Sequence, residues 1–211
     1  MGGGRLASVV TAGGPTRPWI QWLRAHDGRI AVSLWCVIAL GLVVLARGLP
    51  ANTFYAGDPG VKLIAVRNVL DHPTRPLEID LPRVGSRPVA FVESFFPVHG
   101  DHAHALTPEV FPLLTAPLAA AFGLRGLFIL PALGFLLTLA TVAALGRALD
   151  RTRSATLLLL VAASTTPLLF YALEFWEHSV AVATASLATM LLVRQPRSIA
   201  SPLLAGVLFG L

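Results

Sequence analysis

Apolar positions in this chain fall in long blocks separated by short polar connections, a helical pattern on the scale of a lipid bilayer. A helix that spans a membrane needs about 20 mostly apolar residues. Residues 30–46 supply the first block, bounded by Arg29 and Arg47. Later blocks cover 106–122, 124–145, 155–171 and 179–193, and Pro202 opens another that runs to Leu211. The block at 106–122 contains Pro108, Glu109, Pro112 and Pro117, which suit a juxtamembrane or re-entrant helix better than a straight span. The pattern predicts an all-α polytopic membrane protein with four complete transmembrane helices, at 30–46, 124–146, 154–173 and 179–193. A truncated fifth starts at 201–211, as expected if the reading frame is a piece of a longer one.

The stretch 47–123 is different in kind and reads as a large outer loop. Its part from 47 to 106 holds six basic and six acidic residues and many prolines, the composition of a folded polar segment. From Asp58 to Leu70 the spacing predicts a helix capped by Asp58 with Pro59 at its first position. Apolar residues at 63, 66, 69 and 70 give that helix one greasy face, as in a helix lying on a membrane. Val89–Val98 looks strand-like, and His99-Gly100-Asp101 is a turn closing a β-hairpin.

Composition removes whole classes of function. Of the residues, 55% are hydrophobic and 13% charged, against about 25% charged in soluble domains, so an ordinary water-soluble enzyme is excluded. The net charge of +5 comes from basic residues scattered through apolar sequence, so no nucleic-acid partner is expected. Cys36 is the single cysteine, which leaves no disulfide framework and no thiolate metal site. Fifteen of the sixteen basic residues are arginine, and Lys62 is the lone lysine.

Charge also sets the predicted orientation. If 106–122 does not cross, the basic N-terminal segment 1–29 and the connections holding Arg147, Arg151, Arg153, Arg194 and Arg197 share one side. That side carries nine basic residues against Asp27 and Asp150, and the positive-inside rule makes it the cytoplasm. Residues 1–46 then act as a retained signal anchor, with Trp19 and Trp22 at the interface. The loop 47–123 and the short connection 174–178 fall together on the outer face.

Candidate chemistry follows from that placement. Asp58 is either a plain helix cap or a carboxylate that takes a proton or a metal, and the two roles are compatible. Lys62 lies one turn later on the same face, where it meets a phosphate or snorkels to the interface. Glu174, Glu177 and His178 sit between two apolar blocks, where ionisable groups are functional candidates. A helical end would put them on one face, able to hold a divalent cation or supply a general base. The alternative is a short, wet connection. His99, His102 and His104 are eye-catching, but their spacing matches no known zinc site, and a polar hairpin is favoured.

Taken in order, these features resemble the N-terminal part of GT-C superfamily membrane glycosyltransferases, which use polyprenyl-phosphate-linked sugars. The group most similar includes dolichyl-phosphate-mannose–protein mannosyltransferases and bacterial lipid-linked glycosyltransferases. The match rests on three stretches: Phe54-Tyr55-Ala56-Gly57-Asp58-Pro59-Gly60-Val61-Lys62, the proline-punctuated run from Thr107 through Gly123, and Tyr171 through His178. The resemblance implies Asp58 as the catalytic or metal-linked carboxylate and Glu174 or Glu177 as its partner from the second loop. With the residue reading above, the expected site is Asp58 and Glu177 as catalytic acids, Lys62 on the donor phosphate, and Glu174 and His178 as second-loop acid or metal ligands, the candidate ion being Mg or Mn. The resemblance also implies an integral protein of a bacterial inner membrane that moves a sugar from a lipid-linked donor to a glycan, lipid or protein acceptor. The fragment by itself is expected to be inactive. Two features depart from the pattern: a single acid stands where some branches carry a pair, and the Lys-Pro-Pro element of aminoarabinose transferases is absent. The competing reading is a non-enzymatic polytopic membrane protein, a transporter fragment or an assembly subunit.

Overall fold

A computed structural model describes residues 18–52, 54, 57–80, 83–84, 87–88, 95–100, 102–106, 108–150, 154–194 and 199–210. Helix α1 spans Pro18–Gly48 and α2 Gly57–Asp71. Five two-residue strands follow: β1 Ile79–Asp80, β2 Arg83–Val84, β3 Arg87–Pro88, β4 Val98–His99 and β5 His102–Ala103. Then come α3 Val110–Phe122, a 3₁₀ segment Gly123–Phe128, α4 Ile129–Leu149, α5 Ala155–Thr165, α6 Leu168–Leu173, α7 His178–Arg194 and α8 Ala200–Gly210.

The chain is mostly helical, and two apolar helical stretches are long enough to cross a membrane, Pro18–Gly48 and Val110–Leu149. The second is not straight. Gly123 takes φ +62°, open to a residue without a side chain, and the chain turns back there. A Cβ on Gly126 would stand 2.1 Å from the Leu118 carbonyl oxygen, whereas eight residues of straight helix would separate them by about 12 Å. The expected helix at 124–146 is therefore a 3₁₀ turn followed by α4. The expected helix at 154–173 is also divided, between α5 and α6. Pro167 lacks an N–H and pushes Thr166 into extended backbone at φ −116°, ψ 153°, which ends α5. In 179–193 the expected helix is present as α7.

One core gathers Ala31 and Leu42 of α1, Phe135 and Leu139 of α4, Leu159 of α5 and Ala172 of α6. The outward side of α1 keeps Val32, Val37, Leu40 and Val44 exposed, an apolar face suited to lipid. Helices α4 and α7 meet most closely at Gly134, where an added Cβ would lie 2.7 Å from the Ser179 and Val180 backbone. Such small-residue crossings let helix backbones approach, and Ser179 Oγ locks this one by donating to the Pro131 carbonyl at 2.8 Å. Hydroxyls along the helices bond back to carbonyls one turn earlier, as Thr138 does to Gly134 (2.9 Å) and Thr166 to Ala162 (2.7 Å). Each is thus satisfied without water.

The two ends of α1 meet different partners. In its N-terminal third, Asp27 reaches the start of α5 and accepts from Ser154 Oγ (2.6 Å), Ala155 N (2.7 Å) and Thr156 N (3.2 Å). Ser154 Oγ accepts from Leu157 N at 3.2 Å. Three N–H groups that a helix start leaves without partners are so accounted for, with a carboxylate at the positive end of the helix dipole. At the other end of α1, the Arg125 side chain donates to the Ala46 carbonyl at 3.2 Å.

The polar loop contains more β-structure than an all-α reading supplies. Strands β1, β5 and β4 form one antiparallel sheet in that order, and β2 pairs with β3. The expected hairpin is present in β4 and β5, but His99, read as part of the turn, belongs to β4 and lies opposite His102, with Gly100 at φ +64° after it. The strand expected from Val89 lies outside the described residues as far as residue 94, and Phe95–Pro97 is not strand. Also outside them are Arg5, Arg17, Asp101, Arg151, Arg153 and Arg197.

Replacing Asp27 by alanine leaves the Ser154 cap but removes the acceptor of the Ala155 and Thr156 N–H groups, which is expected to cost about 1–2 kcal/mol. Thermal unfolding in detergent should show a Tm several degrees below the parent, with helix content unchanged at low temperature.

Candidate functional site

Helix α2 begins at Gly57, so Asp58 lies inside its first turn instead of capping it. Its buried side is formed by Val61, Lys62, Ala65, Val66 and Asn68, while Ile64 and Leu70 stay exposed. The face predicted to rest on a membrane therefore rests largely on protein. Val66 joins Phe111 and Ala116 of α3, Leu127 of the 3₁₀ segment and Phe175 in a second core. Asn68 Nδ2 secures the far end of α2 by donating to the Pro76 carbonyl at 2.9 Å. With α3 covering it, α2 holds Lys62 at 1% exposure, so the snorkelling alternative does not apply.

A turn between α6 and α7 supplies the partner. Glu174 ends α6 in extended backbone (φ −113°, ψ 150°), and Trp176 N donates to the Glu174 carbonyl at 2.8 Å. The Glu177 carbonyl accepts from Ala181 N at 2.8 Å, so Glu177 occupies the cap position of α7. Its carboxylate sits at the positive end of that helix. Because 174–177 is a turn and not a helical end, Glu174 and Glu177 do not share a helix face. Glu174 is buried, 1% exposed, while Glu177 turns toward α2.

The Lys62 ammonium stands 3.0 Å from Glu177 Oε2 and 4.0 Å from Asp58 Oδ2. Two carboxylates more than a hundred positions apart thus converge on the chain's one lysine. Asp58 is 45% exposed and Glu177 22%, so the acids open outward from a cation buried beneath them. Burying a charge is tolerated when it is paired. The ammonium takes the position that a divalent ion bridging Asp58 and Glu177 would occupy, so that donor set does not fit Mg or Mn without displacing Lys62. Among the described residues no group of three or more His, Cys, Asp or Glu is placed to hold an ion.

Beside this pair lies an open groove of about 550 Å³, lined by Tyr171, Glu177, His178, Pro167 and Ala181. His178 Nδ1 is 4.0 Å from Glu177 Oε1. Its ring stacks on Trp176 (centroids 5.0 Å apart, 22° between planes) and meets Tyr171 at 4.7 Å. Spacing alone did not mark Tyr171 and Trp176. Their signal was two aromatics flanking the acidic connection, which reads equally as an interfacial belt.

The histidine hairpin organises a separate surface cluster. Asp80 accepts from Arg75 Nη2 at 2.8 Å and lies 3.3 Å from His102 Nδ1, with His72 at 3.9 Å. His99 and His104 meet edge to face, 6.0 Å apart. No protein-family model, curated protein or solved structure matches this chain.

Removing one partner of the buried pair strands the other. Glu177→Gln and Lys62→Met should each lower unfolding free energy by about 3 kcal/mol. The double variant should lose clearly less than the two added together, a coupling measurable in a denaturant double-mutant cycle.

Proposed function

We propose that the chain belongs to a membrane glycosyltransferase of the GT-C type, which moves a sugar from a polyprenyl-phosphate donor to an acceptor hydroxyl at the outer membrane face. The observation that carries this reading is the meeting of Asp58 and Glu177 on Lys62. The two acids come from separate stretches of the resemblance, and the first is open to an incoming substrate. An exposed carboxylate held over a buried cation beside an open groove supports this reading over a transporter fragment or assembly subunit.

In this mechanism Asp58 accepts the proton of the acceptor hydroxyl as its oxygen attacks the anomeric carbon. The bond from that carbon to the donor phosphate oxygen breaks, and the lipid phosphate leaves with the electron pair. Lys62 acts from beneath, offsetting the negative charge of both acids so that an anionic donor can approach. Glu177 fixes Lys62, and the groove bounded by Glu177 and His178 receives the acceptor or the sugar. This reading gives Lys62 the cationic role otherwise expected of Mg or Mn.

The four-span arrangement in a bacterial plasma membrane, N-terminus cytoplasmic, is part of the same proposal. It is supported by the sorting of helix ends. Asp27 and Ser154 meet at one end of α1, while Arg125 meets Ala46 at the other, as charge parity requires.

In the full-length protein, Asp58→Asn should abolish transfer from a polyprenyl-phosphate sugar in proteoliposomes while expression and Tm stay within error. Chelation with EDTA should leave the parent active. Full transfer by the Asp58→Asn protein would remove the assignment. Orientation is checked separately in a Cys36→Ser background. Thr74→Cys should react with an impermeant maleimide added outside intact cells, and Ile199→Cys only after permeabilisation.

A further inference from the structure

A second cavity has a character unlike the carboxylate site. It lies between α1 and α4, encloses about 450 Å³, and is walled by Leu42, Val43, Ala132, Leu133, Leu136 and Phe128. That volume falls within the range of small-molecule sites, about 300–1,000 Å³. Its polar lining residues are Arg47 and Arg125, and no acidic side chain lines it. Arg47 closes the last turn of α1. Arg125 is tethered by its bond to the Ala46 carbonyl, one of the C-terminal carbonyls of α1 that lack a helical partner. Two guanidinium groups therefore stand at the end of an apolar crevice, one of them already held in place.

Such a site is complementary to an amphiphile with an anionic head and an apolar chain. Guanidinium groups bind phosphate through paired, charge-assisted hydrogen bonds. The crevice borders the apolar face of α1, where Val43 and Val44 are exposed, so a chain can enter sideways from the bilayer. Phe128 forms part of its wall and also packs against the second core, facing Phe54 with centroids 6.5 Å apart. Phe54 in turn meets Phe175 at 6.4 Å. This aromatic layer stands between the crevice and α2, so a phosphate held by the arginines is a different phosphate from one presented to Asp58.

We propose that the α1–α4 crevice binds an anionic phospholipid of the surrounding bilayer, its acyl chain along the apolar walls and its phosphate on Arg47 and Arg125. The inference rests on the membrane reading but not on sugar transfer. Occupancy braces α1 against the 3₁₀ segment and α4, and so supports from behind the wall on which α2 is seated.

Native mass spectrometry of the full-length protein tests this, after delipidation and titration with phosphatidylglycerol or phosphatidylcholine. Phosphatidylglycerol should be retained and phosphatidylcholine at least about tenfold less so, a difference of about 1.4 kcal/mol. Arg47→Gln/Arg125→Gln should lose that preference. Leu133→Trp, at an exposed wall position, keeps both arginines but fills the crevice and should lose retention by a similar factor. Equal binding of the two lipids, or parental binding by both variants, overturns the proposal. One-for-one displacement of phosphatidylglycerol by a polyprenyl phosphate also overturns it, by making the crevice a carrier site. Asp58→Asn should retain phosphatidylglycerol like the parent whatever it does to transfer, so this proposal and the catalytic one fail separately.

Discussion

A lysine ammonium taken almost wholly out of water must be met by negative charge, and the packing of α2, α3 and the α6–α7 turn is arranged around that demand. Lys62 is buried because α3 covers α2, and that cover is held by Val66, Phe111, Ala116 and Leu127. The same cluster includes Phe175, which anchors the turn carrying Glu177. Apolar packing and ion pairing are therefore coupled: the core brings the turn to α2, and the turn brings the countercharge to Lys62. Each carboxylate answers a local constraint as well. Asp58 lies in the first turn of α2 and Glu177 caps α7, both places where helix dipoles favour an anion. The cluster carries a net negative charge and opens toward solvent through Asp58.

The packing among α1, α4, α5 and α7 follows a different rule, in which polar groups are satisfied one by one inside apolar surroundings. Thr138, Thr166 and Ser164 bond to their own helices. Ser179 and Trp35 bond across to carbonyls of α4, at Pro131 and Leu136. Asp27 supplies what the start of α5 lacks. These bonds add to packing at Gly134, where two backbones approach too closely for any side chain. Helices built this way can associate where water provides little driving force.

Several of these relations were legible in the chain before any coordinates. The apolar blocks marked α1, α4 and α7, while the prolines of 106–122 did not prevent a helix, since α3 runs unbroken over Val110–Phe122 with Pro117 inside it and the chain turns only at Gly123. Gly100 between histidines marked the hairpin. Asp58, Lys62 and Glu177 were singled out by rarity and position, although their mutual distance was not, because ion pairing across such a separation has no periodic signature. The failures have physical causes. Periodicity on α2 pointed to a lipid-facing side since it cannot register a second apolar helix laid over it. Hydropathy read 154–173 as one helix because Thr166-Pro167 barely changes a sliding average yet breaks the backbone. The spacing of Glu174 and Glu177 suggested one helix face only on the assumption that the helix continued. Asp27 entered only the charge balance, because its partners Ser154, Ala155 and Thr156 lie more than a hundred residues away.

The carboxylate site and the arginine-rimmed crevice are best understood as two sides of one wall. Phe128 and Leu173 line the crevice, and Phe128 packs into the cluster that seats α2. Leu173 is followed directly by Glu174 and Phe175. Contiguous aromatic contacts, Phe128 to Phe54 to Phe175, link the crevice wall to the α6–α7 turn. The charges are sorted across the same wall, arginines on the crevice side and two acids on the other. The guanidinium groups attract an anionic headgroup, while on the other side Lys62 offsets part of the negative charge of Asp58 and Glu177. One thin aromatic layer thus separates an arginine-lined apolar crevice from a pair of carboxylates that opens to solvent.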